Sequence, residues 1–256
     1  MVILLAVITC IYIPACASQP IPIYTYKIIN TYPHDPEAFT QGLSFENGIL
    51  YEGTGLRGES SIRKVDPKTG NILLAFKLPD KYYGEGITIY KDTIIQLTLD
   101  SEKGFIYNKN TLELLREFTY TGEGWGITHD ESHIIMSDGS STLRLLDPAT
   151  LKETGHIEVQ DNGTPLNMIN ELEYINGYIY ANIWQTNRIA IIDTRTGKVS
   201  GWIDLTGLLD RQKYGNTPDV LNGIAYDEKT GHLLVTGKLW PVLFEIDFEP
   251  ANSVTE

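Results

Sequence analysis

Short apolar runs divided by polar, glycine-bearing breaks recur along most of the chain, and the regularity of their return is the strongest signal in it. A polar or aromatic residue, then Gly, then a short apolar strand occurs at Gln41-Gly42-Leu43, Glu85-Gly86-Ile87, Trp125-Gly126-Ile127 and Asn222-Gly223-Ile224, with Asn170-Glu171-Leu172 in the fourth place. The openers stand at 41, 85, 125, 170 and 222, so the steps are 44, 40, 45 and 52 residues, the period of propeller blades. Each opener is followed by a second strand: Ile49 to Tyr51, Thr93 to Leu97, His133 to Met136, Tyr178 to Ala181 and His232 to Val235. Third strands run into turns such as Asp66-Pro67-Lys68-Thr69-Gly70, Asp147-Pro148-Ala149-Thr150 and Asp193-Thr194-Arg195-Thr196-Gly197. There Asp accepts backbone hydrogen bonds, Pro pre-sets φ and Gly supplies positive φ.

Four strands per unit is the consistent reading, and it predicts an all-β, five-bladed β-propeller. The fifth unit, Asn222 to Phe248, has room for only three strands. The segment Tyr24 to Asn30 is expected to supply the fourth, closing the last blade and removing two exposed sheet edges. An open β-sandwich competes, but it leaves five evenly spaced openers unexplained.

Composition narrows the class. The 256 residues are 42% hydrophobic, enough to bury one sizeable core. A net charge of −13 would repel a phosphate backbone, so nucleic acid is not an expected partner. The first 13 residues are apolar, end at Pro14 and precede Ala15-Cys16-Ala17-Ser18. That pattern predicts a signal peptide over 1–17, with a propeller domain over 24–250. No Lys or Arg precedes the apolar run. Ile13-Pro14-Ala15-Cys16 also reads as a poor lipoprotein box, so secretion, a periplasmic location and lipid attachment at Cys16 all stay open. No other membrane contact is expected, and a monomer is the expected state. Both cysteines, Cys10 and Cys16, fall in this leader, so the remaining chain has no disulfide or thiolate chemistry.

First strands of propeller blades line the central channel in one direction, so equivalent openers converge on the axis. Gln41, Glu85, Trp125, Asn170 and Asn222 are then a ring of hydrogen-bonding groups with one carboxylate and one indole. Trp184 and Lys238 end the second strands of two repeats and should reach the same mouth. Polar openers can equally satisfy buried backbone groups or trap water, and for Gln41 and Asn222 neither reading leads. Glu85 is different: it lies between Gly84 and Gly86, and a carboxylate near the axis would lose solvation and titrate upward. Trp125, between Gly124 and Gly126, reads as a ring presented by a stripped backbone or as a core Trp.

The runs Phe39-Thr40-Gln41-Gly42-Leu43, Tyr83-Gly84-Glu85-Gly86-Ile87-Thr88, Gly124-Trp125-Gly126-Ile127-Thr128, Asn170-Glu171-Leu172-Glu173-Tyr174 and Val220-Leu221-Asn222-Gly223-Ile224-Ala225 resemble the characteristic segments of glutamine cyclotransferases of the plant and bacterial type. The resemblance spans Tyr24 to Phe248. It implies cyclisation of N-terminal glutamine in peptides or proteins, with Glu85 as catalytic acid/base. It also implies a pocket lined by Phe39, Gln41, Trp125, Asn170, Trp184 and Lys238, with Asn222 as a further candidate. Gln41, Asn170 and Lys238 are expected to bind the amide oxygen and substrate backbone, and Trp125 and Trp184 to form apolar walls.

No cofactor or metal is expected, although the channel leaves room for a structural cation. His129 and His133 have the spacing of a helical zinc pair, but Asp130-Glu131-Ser132 between them reads as a hairpin turn. Gly207 to Pro218 reads as a connector, a short helix or a lid. Two rival functions remain: a metal-dependent propeller lactonase using Glu85, Asn170 and Asn222 as oxygen ligands, and a non-catalytic binding propeller.

Overall fold

Each repeat unit folds as an up-and-down meander whose burial falls from the first strand to the last. The computed structural model describes residues 20–215 and 217–251; the expected leader over 1–17 and both cysteines lie outside them. After β1 (Ile23–Pro33) come β2 (Thr40–Glu46), β3 (Ile49–Thr54), β4 (Ser61–Val65) and β5 (Ile72–Lys77), one antiparallel sheet in that order. β6 (Gly84–Tyr90), β7 (Thr93–Thr98), β8 (Lys103–Asn108) and β9 (Leu114–Thr119) form a second. β10 (Ile127–His129), β11 (Ile134–Met136), β12 (Thr142–Leu146) and β13 (Glu153–Glu158) form a third. A two-stranded ribbon, β14 (Gln160–Asp161) and β15 (Thr164–Pro165), follows.

The remaining strands make one eight-stranded sheet. β16 (Ile169–Ile175), β17 (Tyr178–Ile183), β18 (Arg188–Asp193) and β19 (Val199–Asp204) occupy one half. After the single turn α1 (Arg211–Tyr214), β20 (Leu221–Asp227), β21 (His232–Gly237) and β22 (Val242–Pro250) occupy the other, with β1 between the halves. β1 runs antiparallel to β22 from Tyr24↔Pro250 to Pro33↔Val242, as the short last repeat requires. It also pairs in parallel with β19 at Ile23↔Trp202 and Tyr24↔Ile203, a join that the repeat pattern does not predict. The fold is all-β and propeller-like, and its one described helix is capped by the Asp210 carboxylate, which accepts from Gln212 N and Lys213 N. That helix lies within Gly207 to Pro218, the segment read as a connector, a short helix or a lid.

The turn chemistry is as the sequence implies. Asp66 Oδ1 accepts from Lys68 N at 2.9 Å, Asp147 Oδ1 from Thr150 N at 2.8 Å and Asp193 Oδ1 from Arg195 N at 2.9 Å. His129 and His133 flank a turn in which Asp130 Oδ1 accepts from Ser132 N and His133 N, so they belong to a hairpin. Among the described residues no helix is long and apolar enough to cross a membrane.

First strands touch in cyclic order, β2 to β6, β6 to β10, β10 to β16, β16 to β20 and β20 back to β2. Close approach there depends on missing side chains. A Cβ at Gly42 would stand 2.5 Å from Ile87 N, and one at Gly86 would stand 2.5 Å from the Trp125 carbonyl. The fourth place in this ring holds Glu171, which is wholly buried. Its Oε1 accepts from Leu43 N at 3.2 Å and its Oε2 from Ile224 N at 2.8 Å. One carboxyl thus crosses the hub and ties together two first strands that are far apart in sequence. Burial pushes its pKa well up, the neighbouring Glu173 adds to that, and the two backbone bonds work against it.

Candidate active site

The openers are set by a shared backbone irregularity. Register shifts fall between Thr40 and Gly42, Gly84 and Ile87, Ile169 and Leu172, and Leu221 and Ile224, so in four of the five repeats the opener lies within a bulge. A bulge re-aims a side chain out of the alternating pattern of the strand. Gln41, Glu85, Asn170 and Asn222 are accordingly buried at the strand starts, while Trp125, just before β10, is half-buried. Trp184 and Lys238 directly follow β17 and β21 and so lie at the same edge.

Glu85 is the centre of the group. It is 3% exposed, and its Oε1 accepts from Gln41 Nε2 at 2.9 Å. Burial raises its pKa well above the glutamate value of 4.5; the Lys238 ammonium opposes that, and Glu123 and Asp100 reinforce it. Lys238, itself buried, is pushed below 10.5 by desolvation against the pull of Glu85 and Asp219. Its Nζ lies 5.0 Å from the centroid of Phe39, a cation–π distance. Trp125 and Trp184 meet edge to face, with centroids 5.6 Å apart, and Trp125 Nε1 donates to Glu123 Oε2 at 2.9 Å.

Direct contacts therefore link Asn222, Gln41 and Glu85, link Phe39 and Lys238, and link Trp125 and Trp184. Asn170 makes no side-chain bond to the others; its Oδ1 is buried and has no partner among the described residues. Two geometric facts bear on the expectation that Gln41, Asn170 and Lys238 bind the amide oxygen and the substrate backbone. Gln41 turns an N–H toward Glu85, and the unpaired atom of Asn170 is an acceptor, which suits a substrate N–H.

Sequence reasoning passed over Tyr83, whose ring meets Phe39 edge to face at 6.5 Å. Burial, with the Glu85 charge adding, pushes its phenol up to about 12. Its position two residues before Glu85 was the available signal. At the other end of the channel a cavity of about 720 Å³ is lined by Ser44, Thr88, Thr128, Glu173 and Tyr226 and holds none of the expected site residues. Among the described residues, no three His, Cys, Asp or Glu side chains are grouped to hold a metal ion.

Comparison with known proteins gives the group its context. A family model described as glutamine cyclotransferase matches residues 1–248. A glutaminyl-peptide cyclotransferase from Arabidopsis thaliana is 42% identical over 233 residues, covering 89% of this chain and 72% of that protein. The crystal structure of Myxococcus xanthus glutaminyl cyclase superposes with a TM-score of 0.85 at 34% identity, covering 91% of this chain and all of the other. On the extent of these matches, this chain belongs to the glutamine cyclotransferase family.

Proposed function

We propose that the protein is a glutaminyl-peptide cyclotransferase in which Glu85 moves the protons. The substrate's free α-amine attacks the carbon of its own side-chain amide, the new C–N bond closes pyroglutamate, and ammonia leaves with the old one. No protein nucleophile is needed. The pocket has to hold the side chain curled, a positioning effect for which effective molarities of ~10⁵–10⁸ M set the scale. Glu85 as carboxylate takes a proton from the attacking amine and, as the acid, gives one to the departing nitrogen.

The observation that carries this reading is a carboxyl at the strand-start edge of the hub, buried and bonded to Gln41, within the field of Lys238. Lys238 supplies positive charge for the amide oxygen as it becomes an oxyanion. The buried Oδ1 of Asn170 accepts a substrate N–H. Trp125 and Trp184 wall the pocket against water, and the Phe39 ring holds the Lys238 ammonium. Peptides and proteins beginning with glutamine are the partners this implies.

We also read the architecture as five blades. Supporting this are the cyclic contacts of five first strands and the narrow parallel join, two residue pairs, that fuses the last two meanders. Export before action fits the apolar start and the small-residue run at 15–18. Independence from zinc fits the chemistry of the expected site residues, which include one carboxylate and one lysine but no histidine or cysteine. The lactonase alternative gains one supporting fact, since Asn170 and Asn222 each carry an unpaired buried oxygen that a cation would satisfy. Incubation with a glutamine-initiated peptide under a strong chelator tests both readings: ammonia release and the matching mass loss should persist. Activity abolished by chelation and restored by a divalent ion would overturn independence from metal, and no ammonia release under either condition would overturn the cyclotransferase reading.

A further inference from the structure

The orientation of one side-chain amide at the hub is decided by a backbone atom. Asn222 Nδ2 lies 3.1 Å from Thr40 O and 3.3 Å from Gln41 Oε1. A backbone carbonyl can only accept, so the Asn222 atom facing it is nitrogen. A flipped Asn222 would set oxygen against oxygen in a site where Asn222 is wholly buried. The second hydrogen of that nitrogen fixes the Gln41 oxygen toward Asn222, which leaves the Gln41 nitrogen toward Glu85 Oε1 at 2.9 Å. Packing holds the plane of the Gln41 amide, since a Cβ at Gly55 would stand 3.0 Å from Gln41 Cγ and 3.1 Å from Gln41 Nε2, but oxygen and nitrogen are nearly the same size, so Asn222 and not packing decides which end faces Glu85.

We propose that Asn222 is a positioning residue: acting through Gln41, it makes Glu85 Oε1 a permanent acceptor, so the proton exchanged with substrate is carried on Oε2. The proposal rests on Glu85 being the acid–base group. It assigns Asn222 a role without substrate contact, and it gives direction to the proton. An acid whose Oε1 faces an N–H cannot place its proton there, so every catalytic cycle presents the same oxygen to the reacting nitrogen.

Without Asn222, Gln41 is free to turn its oxygen toward Glu85. The carboxylate then loses a donor that favours its charged form, and Glu85 titrates at higher pH. The groups facing Glu85 are Lys238, Glu123 and Asp100, together with the phenols of Tyr83 and Tyr120; Asp219 faces Lys238 and Tyr83. Substituting Asn222 removes none of these groups; the one indirect change is at Tyr83, whose phenol the Gln41 side chain also touches, and a limb that moves alike in Asn222→Ala and Gln41→Met reports the lost orientation.

The test is the pH profile of kcat and kcat/KM on a glutamine-initiated peptide for Asn222→Ala, Gln41→Met, the double variant and Glu85→Gln. In Asn222→Ala we expect kcat to fall roughly 10-fold, part of the ~10²–10⁴ that a whole acid–base group supplies. Its KM should stay near the wild-type value and its acidic limb should move to higher pH. Gln41→Met should show the same shift, and the double variant should add nothing to it. An unmoved limb with raised KM in Asn222→Ala would make Asn222 a substrate ligand and overturn the proposal. Should that variant not fold, an unmoved limb in Gln41→Met overturns it alone. Full turnover in Glu85→Gln would remove the underlying assignment, and the Asn222 role with it.

Discussion

Glu85 owes its properties to three local facts: flanking glycines, a bulge that turns it inward, and a lysine that offsets part of the desolvation. A carboxyl held above its usual range is a base only above its raised pKa. The kcat/KM profile should therefore fall on the acid side through a limb higher than the ordinary 4.5 of glutamate. On the alkaline side, loss of the Lys238 proton begins below 10.5, and Lys238→Met should lower kcat and remove that contribution. Initial rates across pH on one peptide check both limbs. The burial of Glu85 and the placing of Trp125 and Lys238 at one edge of the sheets were legible because glycine neighbours and repeat register mark them. Tyr83 was not, since an aromatic beside a strand start looks like core. Nor was the polarity of the amide chain, which depends on a backbone carbonyl.

At the scale of elements, the first strands come together because glycine occupies the place after most openers, and the exception does different work. Glu171 fills the hub gap with a carboxyl that accepts from Leu43 N and Ile224 N. Glu171→Ala leaves both donors buried and unpaired, at about 1–3 kcal/mol each. We expect a clear drop in the denaturant midpoint with the far-UV circular dichroism of the folded state kept. A midpoint like wild type would mean that the hub does not rely on that carboxyl. The repeat pattern located Glu171 but read it only as a variant of the opener, because the donors that it satisfies lie 128 and 53 residues away. The strands themselves were legible for the opposite reason. Each second strand follows its first across a short hairpin, and each Asp turn is satisfied within three residues.

For the whole molecule, closure joins residues far apart in sequence, and the chemistry that seals it leaves no local trace. His34, just after β1, has Nδ1 2.6 Å from Trp240 O and Nε2 3.0 Å from Glu52 Oε1, and Thr40 Oγ1 donates to the same oxygen at 2.7 Å. Burial opposes charge on both partners, but each is outweighed by the other's charge and hydrogen bonds, so His34 titrates above 6.5 and Glu52 below 4.5. The depressed Glu52 stabilises the fold above its ordinary value and loses that effect as pH falls through its folded pKa. The raised His34 stabilises below its ordinary value and loses it as pH rises through its folded pKa. His34→Ala leaves the buried Glu52 carboxylate with only Arg63, 3.9 Å away, and the Thr40 hydroxyl, and should cost less than the ~3–5 kcal/mol of a fully uncompensated buried charge, read as a lowered Tm that recovers in part in the double variant with Glu52→Ala. The repeat spacing foretold the all-β meanders, and the short last unit foretold the strand that completes its sheet. The parallel join of β1 to β19 and the His34–Glu52 seal stayed hidden because neither is periodic. The most direct test of the account is turnover of a glutamine-initiated peptide by Glu85→Gln. We predict a folded protein, with unchanged circular dichroism, that releases ammonia roughly 10²–10⁴-fold more slowly; turnover equal to wild type would contradict the account.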